Sequence, residues 1–216
     1  MKKFFVMVVI TIIIILIYNL LKDNKIYYVS ISDNTIMDQN ISYAYKDYIK
    51  DYLEEKNKLE KYTDISNDNF RITDIIRNIN DNISYDDKSI QNILIKADLL
   101  TISVGYNDLI NKINIYNSYE IYKYIDSYLK DITSLFDIIR KYDKEKIIML
   151  GYYNPYDKKY DDLIDYINKN LNELSNKYNI DFLEISNIKN YLDDNILSIE
   201  GQHKIFDEIR IIIDKK

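Results

Sequence analysis

The feature that most constrains this chain is a regular exchange between short β-rich runs and longer amphipathic stretches. Ile26-Tyr-Tyr-Val-Ser-Ile31, Leu99-Leu-Thr-Ile-Ser-Val104, Lys146-Ile-Ile-Met-Leu150 and Ile180 to Ile185 each read as a buried strand closed by a turn. Between them lie helical stripes. Ile41 to Asn57 carries apolar groups at 41, 44, 45, 48, 49, 52 and 53. Asn117 to Lys141 carries them at 121, 125, 128, 129, 132, 135, 136 and 139, behind an Asn117…Glu120 capping box. Tyr160 to Lys177 is again helical, and a last helix spans about Ile199 to Ile213 with Ser198 as N-cap. Leu59 to Ile65 is ambiguous, with a further strand beside the first as one reading. Strands alternating with helices of this length demand a parallel sheet covered on both faces. The sequence therefore predicts a three-layer α/β/α sandwich with a parallel, about five-stranded, flavodoxin-like sheet. Ligand sites in such folds lie beyond the carboxyl ends of the strands. The turns Ser32-Asp33-Asn34, Gly105-Tyr-Asn-Asp108 and Gly151-Tyr-Tyr-Asn154 are thus expected along one edge.

Composition removes several function classes. Twenty-nine Lys+Arg against 35 Asp+Glu give a net charge of −6, which argues against a nucleic-acid partner needing a basic face. Without cysteine there is no disulfide framework, thiolate metal site or cysteine nucleophile. His203 is the only histidine, so a histidine-rich zinc site is excluded and any Ser-His-Asp machinery must use that residue. No cofactor is implied. The acidic pairs Asp86-Asp87, Asp161-Asp162 and Asp193-Asp194 lack the spacing of a calcium loop and read as turns and helix starts. Tyrosine occurs 23 times, mostly on apolar stripes such as Tyr45, Tyr48 and Tyr52, which points to packing rather than a carbohydrate-stacking face.

The amino-terminal segment reads as a membrane element. Lys2 and Lys3 precede residues 4–21, whose eighteen positions span roughly 27 Å as a helix, close to the ~30 Å hydrocarbon core. The exit Tyr18-Asn-Leu-Leu-Lys-Asp23 offers no small-residue cleavage site. Residues 1–25 are therefore expected to be an uncleaved signal anchor, single-pass in the cell membrane, with residues 26–216 facing outside the cytoplasm.

Three blocks in that second region resemble a known family. Tyr28-Val-Ser-Ile-Ser-Asp-Asn34 is similar to the first block of the SGNH (GDSL-type) hydrolases, normally Gly-Asp-Ser after a strand. Asp98-Leu-Leu-Thr-Ile-Ser-Val-Gly-Tyr-Asn-Asp108 resembles the third block, a strand followed by Gly-x-Asn-Asp. Asp193-Asp-Asn-Ile-Leu-Ser-Ile-Glu-Gly201 resembles the last block, Asp-x-x-His before a capped helix. The likeness runs in order from Ile26 to Lys216.

What the resemblance implies is an esterase or lipase fold whose serine attacks an ester carbonyl while an Asp-oriented histidine takes its proton. The nucleophile position falls on Asn34, which has no attacking oxygen. The second-block glycine, an oxyanion N–H donor, falls near Asn69 in Asp68-Asn-Phe-Arg-Ile-Thr-Asp74, and Asn tolerates the left-handed backbone. The third-block asparagine is Asn107. Without a gap, the histidine position is Ile196 and the acid Asp193; with a one-residue deletion, Asp194 is the acid and no base exists. His203 stands seven positions further along a helix, roughly 10 Å away, against the ~3 Å that proton transfer tolerates. Glu200-Gly-Gln-His203 places an acid three before that histidine, but on a helix these are ordinary neighbours. Ser32 and Thr35 flank position 34 without a visible base.

The resemblance thus implies a member lacking the nucleophile and the base, with no catalytic residue assigned. A pocket edged by Asp33, Asn34, Asn69, Gly105, Asn107 and Asp194 is the expected ligand site, for an acylated lipid or a cell-wall glycan. Two other readings remain open: an esterase with unorthodox residues, and a structural surface protein.

Overall fold

A computed structural model of the chain describes residues 25–33, 43–113, 118–142, 146–156, 158–193 and 196–215. The expected anchor at residues 4–21, Asn34 and Asp194 lie outside the described residues. No helix among the described residues is long and apolar enough to cross a membrane.

In chain order the elements are β1 (Ile26–Ser32), α1 (Tyr45–Glu55), β2 (Leu59–Ser66), α2 (Ile72–Asn80), β3 (Ser84–Tyr85), β4 (Lys88–Ser89) and α3 (Ile90–Lys96). There follow β5 (Leu99–Ser103), α4 (Tyr106–Ile113), α5 (Ser118–Arg140), β6 (Lys146–Leu150), α6 (Asp161–Lys177), β7 (Asp181–Leu183), β8 (Leu192–Asp193), β9 (Ile196–Leu197) and α7 (Ile199–Asp214). Strands β1, β2, β5, β6 and β7 form one sheet in the order β2-β1-β5-β6-β7, and all of its pairs are parallel. Helices α1 and α7 pack together on one side, while α2, α5 and α6 pack together on the other. The three-layer α/β/α sandwich read from the sequence is the observed fold.

The physical basis is burial on both faces. Strands β5 and β6 are buried nearly throughout, as a sheet between two helical layers requires. Ile125, Ile132, Phe136 and Ile139 of α5 are fully buried, the same stripe that the spacing picks out. Leu59–Ser66, ambiguous in sequence, is an edge strand paired parallel with β1. Ser198 caps α7 by accepting the Gly201 N–H at 3.2 Å.

One expectation shifts. Helix α1 begins at Tyr45 rather than Ile41, because the Asp47 carboxylate accepts the Ala44 N–H at 2.9 Å and ends the helix there. Asn117, the expected cap of α5, lies outside the described residues.

Candidate active site

The carboxyl ends of β1, β5 and β6 lie side by side, so the turns after Ser32, Ser103 and Leu150 share one edge. Backbone bonds stitch this edge together. Asn67 N donates to Ser32 O at 3.2 Å, Asp33 N to Ser103 O at 3.0 Å, and Gly151 N to Leu183 O at 2.8 Å.

Asp33 organises the centre of the edge. Its side chain is fully buried, and Oδ2 accepts the N–H groups of Gly105 at 2.8 Å and Asn107 at 3.2 Å. A buried carboxylate needs such partners to stay charged. Gly105 has φ +89°, a conformation that suits glycine, and a Cβ there would lie 2.7 Å from Ile72 Cδ1 and closer still to the Tyr128 hydroxyl. The turn is thus fixed by a carboxylate on one side and by steric exclusion on the other.

Beneath it lies a layer of tyrosines. Tyr106, Tyr128, Tyr152 and Tyr153 are all buried. Tyr152 donates its hydroxyl to Val104 O at 2.7 Å and Tyr106 to Tyr153 O at 3.1 Å, while the Tyr128 and Tyr152 hydroxyls bond each other. Burial pushes the Tyr128 and Tyr152 phenols well above their ordinary value, so at neutral pH they act as neutral hydrogen-bonding groups. These phenols tie the β5 exit to the β6 exit. The Gly-Tyr and Gly-Tyr-Tyr sequences after the two strands are the signal for them, legible only once the strands are known to be neighbours.

Asp108 closes the turn on its other side. Its Oδ2 accepts the Ile72 N–H at 3.2 Å, holding the start of α2, and Tyr124 donates to its carbonyl at 3.2 Å. Burial pushes the Asp108 carboxyl up to about 6; the Ile72 N–H opposes the rise and the charge on Asp33 adds to it.

The positions that the resemblance marks as oxyanion donors are engaged within the protein. Asn107 Nδ2 donates to Asp68 O at 3.0 Å, which does bring the Asn107 side chain to the β2–α2 loop. Asn69, exposed in that loop, gives its N–H to Asn67 Oδ1 at 2.9 Å. It is not among the non-glycine residues with positive φ, so the left-handed backbone expected there is not adopted. The Asn69 N–H has one hydrogen and must break its bond to Asn67 to serve a negative oxygen, whereas the Asn107 amide nitrogen carries a second hydrogen besides the one given to Asp68 O.

In the last block, β8 and β9 pair as a tight antiparallel hairpin in which Asp193 and Ile196 are register partners. Those are the acid and histidine positions of the gapless alignment. Ile196 is 37% exposed. His203 sits on α7 with its Nδ1 3.3 Å from Asp207 Oδ2 and its ring edge-on to Tyr48 at 5.1 Å. Its acidic partner is four residues downstream; no bond to Glu200 is found among the described residues. The side chain is half exposed.

Among the hydroxyls at this edge, Ser66 is held by charged groups. It donates to Asp64 Oδ2 at 2.9 Å and lies 3.2 Å from Lys46 Nζ, itself 2.6 Å from Asp64 Oδ2. An ammonium paired with a carboxylate has no lone pair with which to take a serine proton. Further along the edge, Asn154, Asp161, Ile164, Asp165, Ser186 and Asn187 line a cleft of about 240 Å³. Among the described residues no cluster of three or more acidic or histidine side chains is arranged to hold a metal.

This geometry defines the SGNH hydrolase fold: a five-stranded parallel sheet, helices on both faces, and a Gly-x-Asn-Asp turn beside the exit of the first strand. Solved structures agree. The chain is similar to the lipase Lip_vut3 from a goat rumen metagenome, with 19% identity and a TM-score of 0.73 over 87% of this chain and 97% of that one. It is similar to Axe2, an acetylxylan esterase from Geobacillus stearothermophilus, with 13% identity and a TM-score of 0.70 over 91% and 98%. TesA matches with 10% identity and a TM-score of 0.62 over 87% and 98%. Catalytic mutants of Axe2 replace a serine, an aspartate and a histidine, the latter two three positions apart. No known family profile matches the sequence, and no curated protein matches it either.

Proposed function

We propose that this chain is a hydrolase-fold binding protein without esterase chemistry, tethered by residues 1–25 and facing outside the cytoplasm. The observation that carries the reading is the chemistry of the reacting positions: Asn at 34 and Ile at 196 supply neither a nucleophile nor a base, and the one histidine, His203, stands on α7 beside Asp207. The bound group is a glycan rather than an acyl chain. Among the described residues lining the neighbouring cleft, Asn154, Asp161, Asp165, Ser186 and Asn187 bring polar groups beside the apolar Ile164, a lining that suits the hydroxyls and apolar faces of a sugar. Two acidic side chains there disfavour an anionic ligand.

The test has three arms. A fluorophosphonate probe, which requires an activated serine, leaves the chain unlabelled. Short-chain esters turn over no faster than background. Protease added to intact cells removes residues 26–216, and a protected domain would refute the topology. Ser66, which donates its hydroxyl to the Asp64 carboxylate, is the observation favouring a second reading, an esterase with unorthodox residues. Stoichiometric labelling mapped to Ser66 would establish that alternative in place of the first.

A further inference from the structure

The two ends of the main sheet differ in charge. Because its strand pairs are all parallel, the turns that enter β1, β2, β5 and β6 share one edge, opposite the exits that carry Asp33 and Gly105. Among the described residues these entry turns hold Lys25, Lys56, Lys58, Lys96 and Lys141, all exposed, and one acid, Asp98. That acid is engaged with the backbone, its Oδ2 accepting the Tyr27 N–H at 2.8 Å. Ile95, 57% exposed, stands beside Lys96 at the end of α3. Glu54 and Glu55 at the end of α1, and Glu60 in β2, flank the row. The exits and the helix starts behind them carry Asp33, Asp68, Asp108 and Asp161 instead, with Arg71, Lys158 and Lys159 as their cations.

Hydrogen bonds stitch the entry edge together. Ile26 N donates to Lys58 O at 2.7 Å, Lys25 Nζ to Asn57 Oδ1 at 2.8 Å, and Asp98 N to Tyr27 O at 2.9 Å. The start of β1 is thereby tied to the turn before β2 on one flank and to the chain just after α3 on the other. Only residues 22–25 separate this edge from the apolar segment 4–21, and four residues fully extended span roughly 14 Å. The headgroup layer takes about 5–8 Å of that reach. A membrane-embedded segment 4–21 therefore holds Ile26 within about 10 Å of the lipid surface, close to the ~8 Å over which surface charge acts at physiological salt.

We propose that the strand-entry edge, with Ile95 among Lys25, Lys58 and Lys96, docks on a bilayer surface of anionic phospholipid. The inference rests on the anchoring reading above and adds an orientation to it. Lysines at the headgroups are drawn to anionic lipid, and an exposed isoleucine gains by leaving water for the acyl boundary. The acidic exits are repelled to the far end. Seven residues of β1 at ~3.3 Å each set them roughly 23 Å further out. The cleft at Asn154 and Asp161 then opens away from the lipid, where a sugar on a headgroup of the same bilayer does not reach it. The glycan it takes belongs to a polymer standing off the membrane.

The test uses the full chain in lipid nanodiscs of phosphatidylcholine, with or without phosphatidylglycerol, carrying an energy-transfer acceptor on the headgroups. The sequence has no cysteine, so Glu55→Cys and Lys159→Cys each take a single dye, one at the end of α1 on the entry edge and one just before α6 beside the cleft. With phosphatidylglycerol present, the dye at 55 is expected to transfer about threefold more than the dye at 159, the two edges being ~23 Å apart. Neutral discs should shrink that contrast, and so should Lys25→Glu, Lys58→Glu and Lys96→Glu combined. Equal transfer from both positions, in a chain that co-migrates with the discs, overturns the orientation and leaves the anchoring reading standing. A contrast unchanged by neutral lipid and by charge reversal overturns the docking on anionic lipid. A chain that does not co-migrate with the discs overturns the anchoring reading, and the docking with it.

Discussion

The carboxylate of Asp33 accepts the backbone N–H of Gly105 at 2.8 Å, joining the exit of β1 to the exit of β5 across the centre of the sheet edge. The same Oδ2 atom holds the N–H of Asn107 at 3.2 Å. One buried charge thus sets the shape of the turn that presents Asn107, independently of what stands at position 34. Scaffold and chemistry are separable here. The scaffold can persist when the reacting groups do not.

Removing that charge should therefore be a matter of stability. Asp33→Ala leaves two buried N–H groups without their acceptor and should cost about 2–4 kcal/mol in chemical denaturation. Asp33→Asn keeps one acceptor oxygen and should cost clearly less. If both variants unfold at the wild-type denaturant concentration, the carboxylate does not hold the turn.

Two glycines at the same edge should respond differently to alanine. Gly105 combines φ +89° with contacts to Ile72 and Tyr128, so Gly105→Ala should destabilise by about 3 kcal/mol or more. Gly151 has no such φ; its added Cβ would meet the ring tip of Phe182 at 2.8 Å, a side chain able to shift, with Asn168 Oδ1 at 3.0 Å and the Leu183 carbonyl at 3.2 Å needing to give by only a few tenths of an ångström. Gly151→Ala should lose about half as much or less. Equal losses at the two sites would mean that backbone conformation is not what selects glycine at 105.

Asp108 predicts a pH dependence with a definite sign. Its carboxyl is raised from 3.8 to about 6, mainly by burial, so between those values the folded chain holds more protons than the unfolded one. Stability from this group is fully present below about pH 4 and is lost as the pH rises through about 6. The group is partly solvent-exposed, and screening reduces the effect to the order of 1 kcal/mol. Asp108→Asn retains an acceptor for the Ile72 N–H and should flatten this part of the profile. An unchanged slope between pH 4 and 7 in the variant would assign the effect to another group.

Strands β1, β5 and β6 were legible because each is a dense apolar run ended by a turn, whereas the edge strand β2, Leu-Glu-Lys-Tyr-Thr-Asp-Ile-Ser, mixes charged and apolar residues and was ambiguous. Helices α2, α3 and α4 were not legible. Each spans only seven to nine residues; α2 and α4 carry apolar stripes at 72, 75, 76 and 79 and at 106, 109, 110 and 113, but over two turns such a stripe competes with turn chemistry, and α4 starts inside the Gly105-Tyr-Asn-Asp108 turn itself. The β3–β4 hairpin hides behind Asp86 and Asp87, which read as a solvated turn but both adopt positive φ, the geometry of a tight hairpin. The two-residue strands β8 and β9 carry no periodicity at all. At the site, the positions of Asp33, Gly105 and Asn107 followed from sequence blocks, yet the bonds from Asp33 depend on strand order.

The last prediction asks what would restore chemistry. Asn34→Ser alone should yield nothing measurable on an activated ester, because an unassisted hydroxyl is a poor nucleophile at neutral pH. Ile196→His supplies a base. Position 196 is 37% exposed, so the change is tolerable, and it is the register partner of Asp193 across the β8–β9 hairpin, which favours Asp193 as the orienting acid. The double variant should therefore hydrolyse esters, but feebly. Asn107 Nδ2 keeps a second hydrogen beside the one given to Asp68 O, but the Asn69 N–H remains engaged with Asn67 Oδ1. One missing donor costs ~3 kcal/mol, or about a hundredfold in rate. Adding Asn67→Ala releases the Asn69 N–H, and the triple variant should gain up to that factor. Asn69→Gly, which relaxes the backbone but leaves Asn67 in place, should gain less. Rates for the single, double and triple variants, each checked for folding, decide the point. If Asn34→Ser alone matches the double variant, a base other than residue 196 is at work and His203 is the first to replace. If the Asn67→Ala step adds nothing, the Asn69 N–H is not an oxyanion donor and the second block lies elsewhere in the β2–α2 loop.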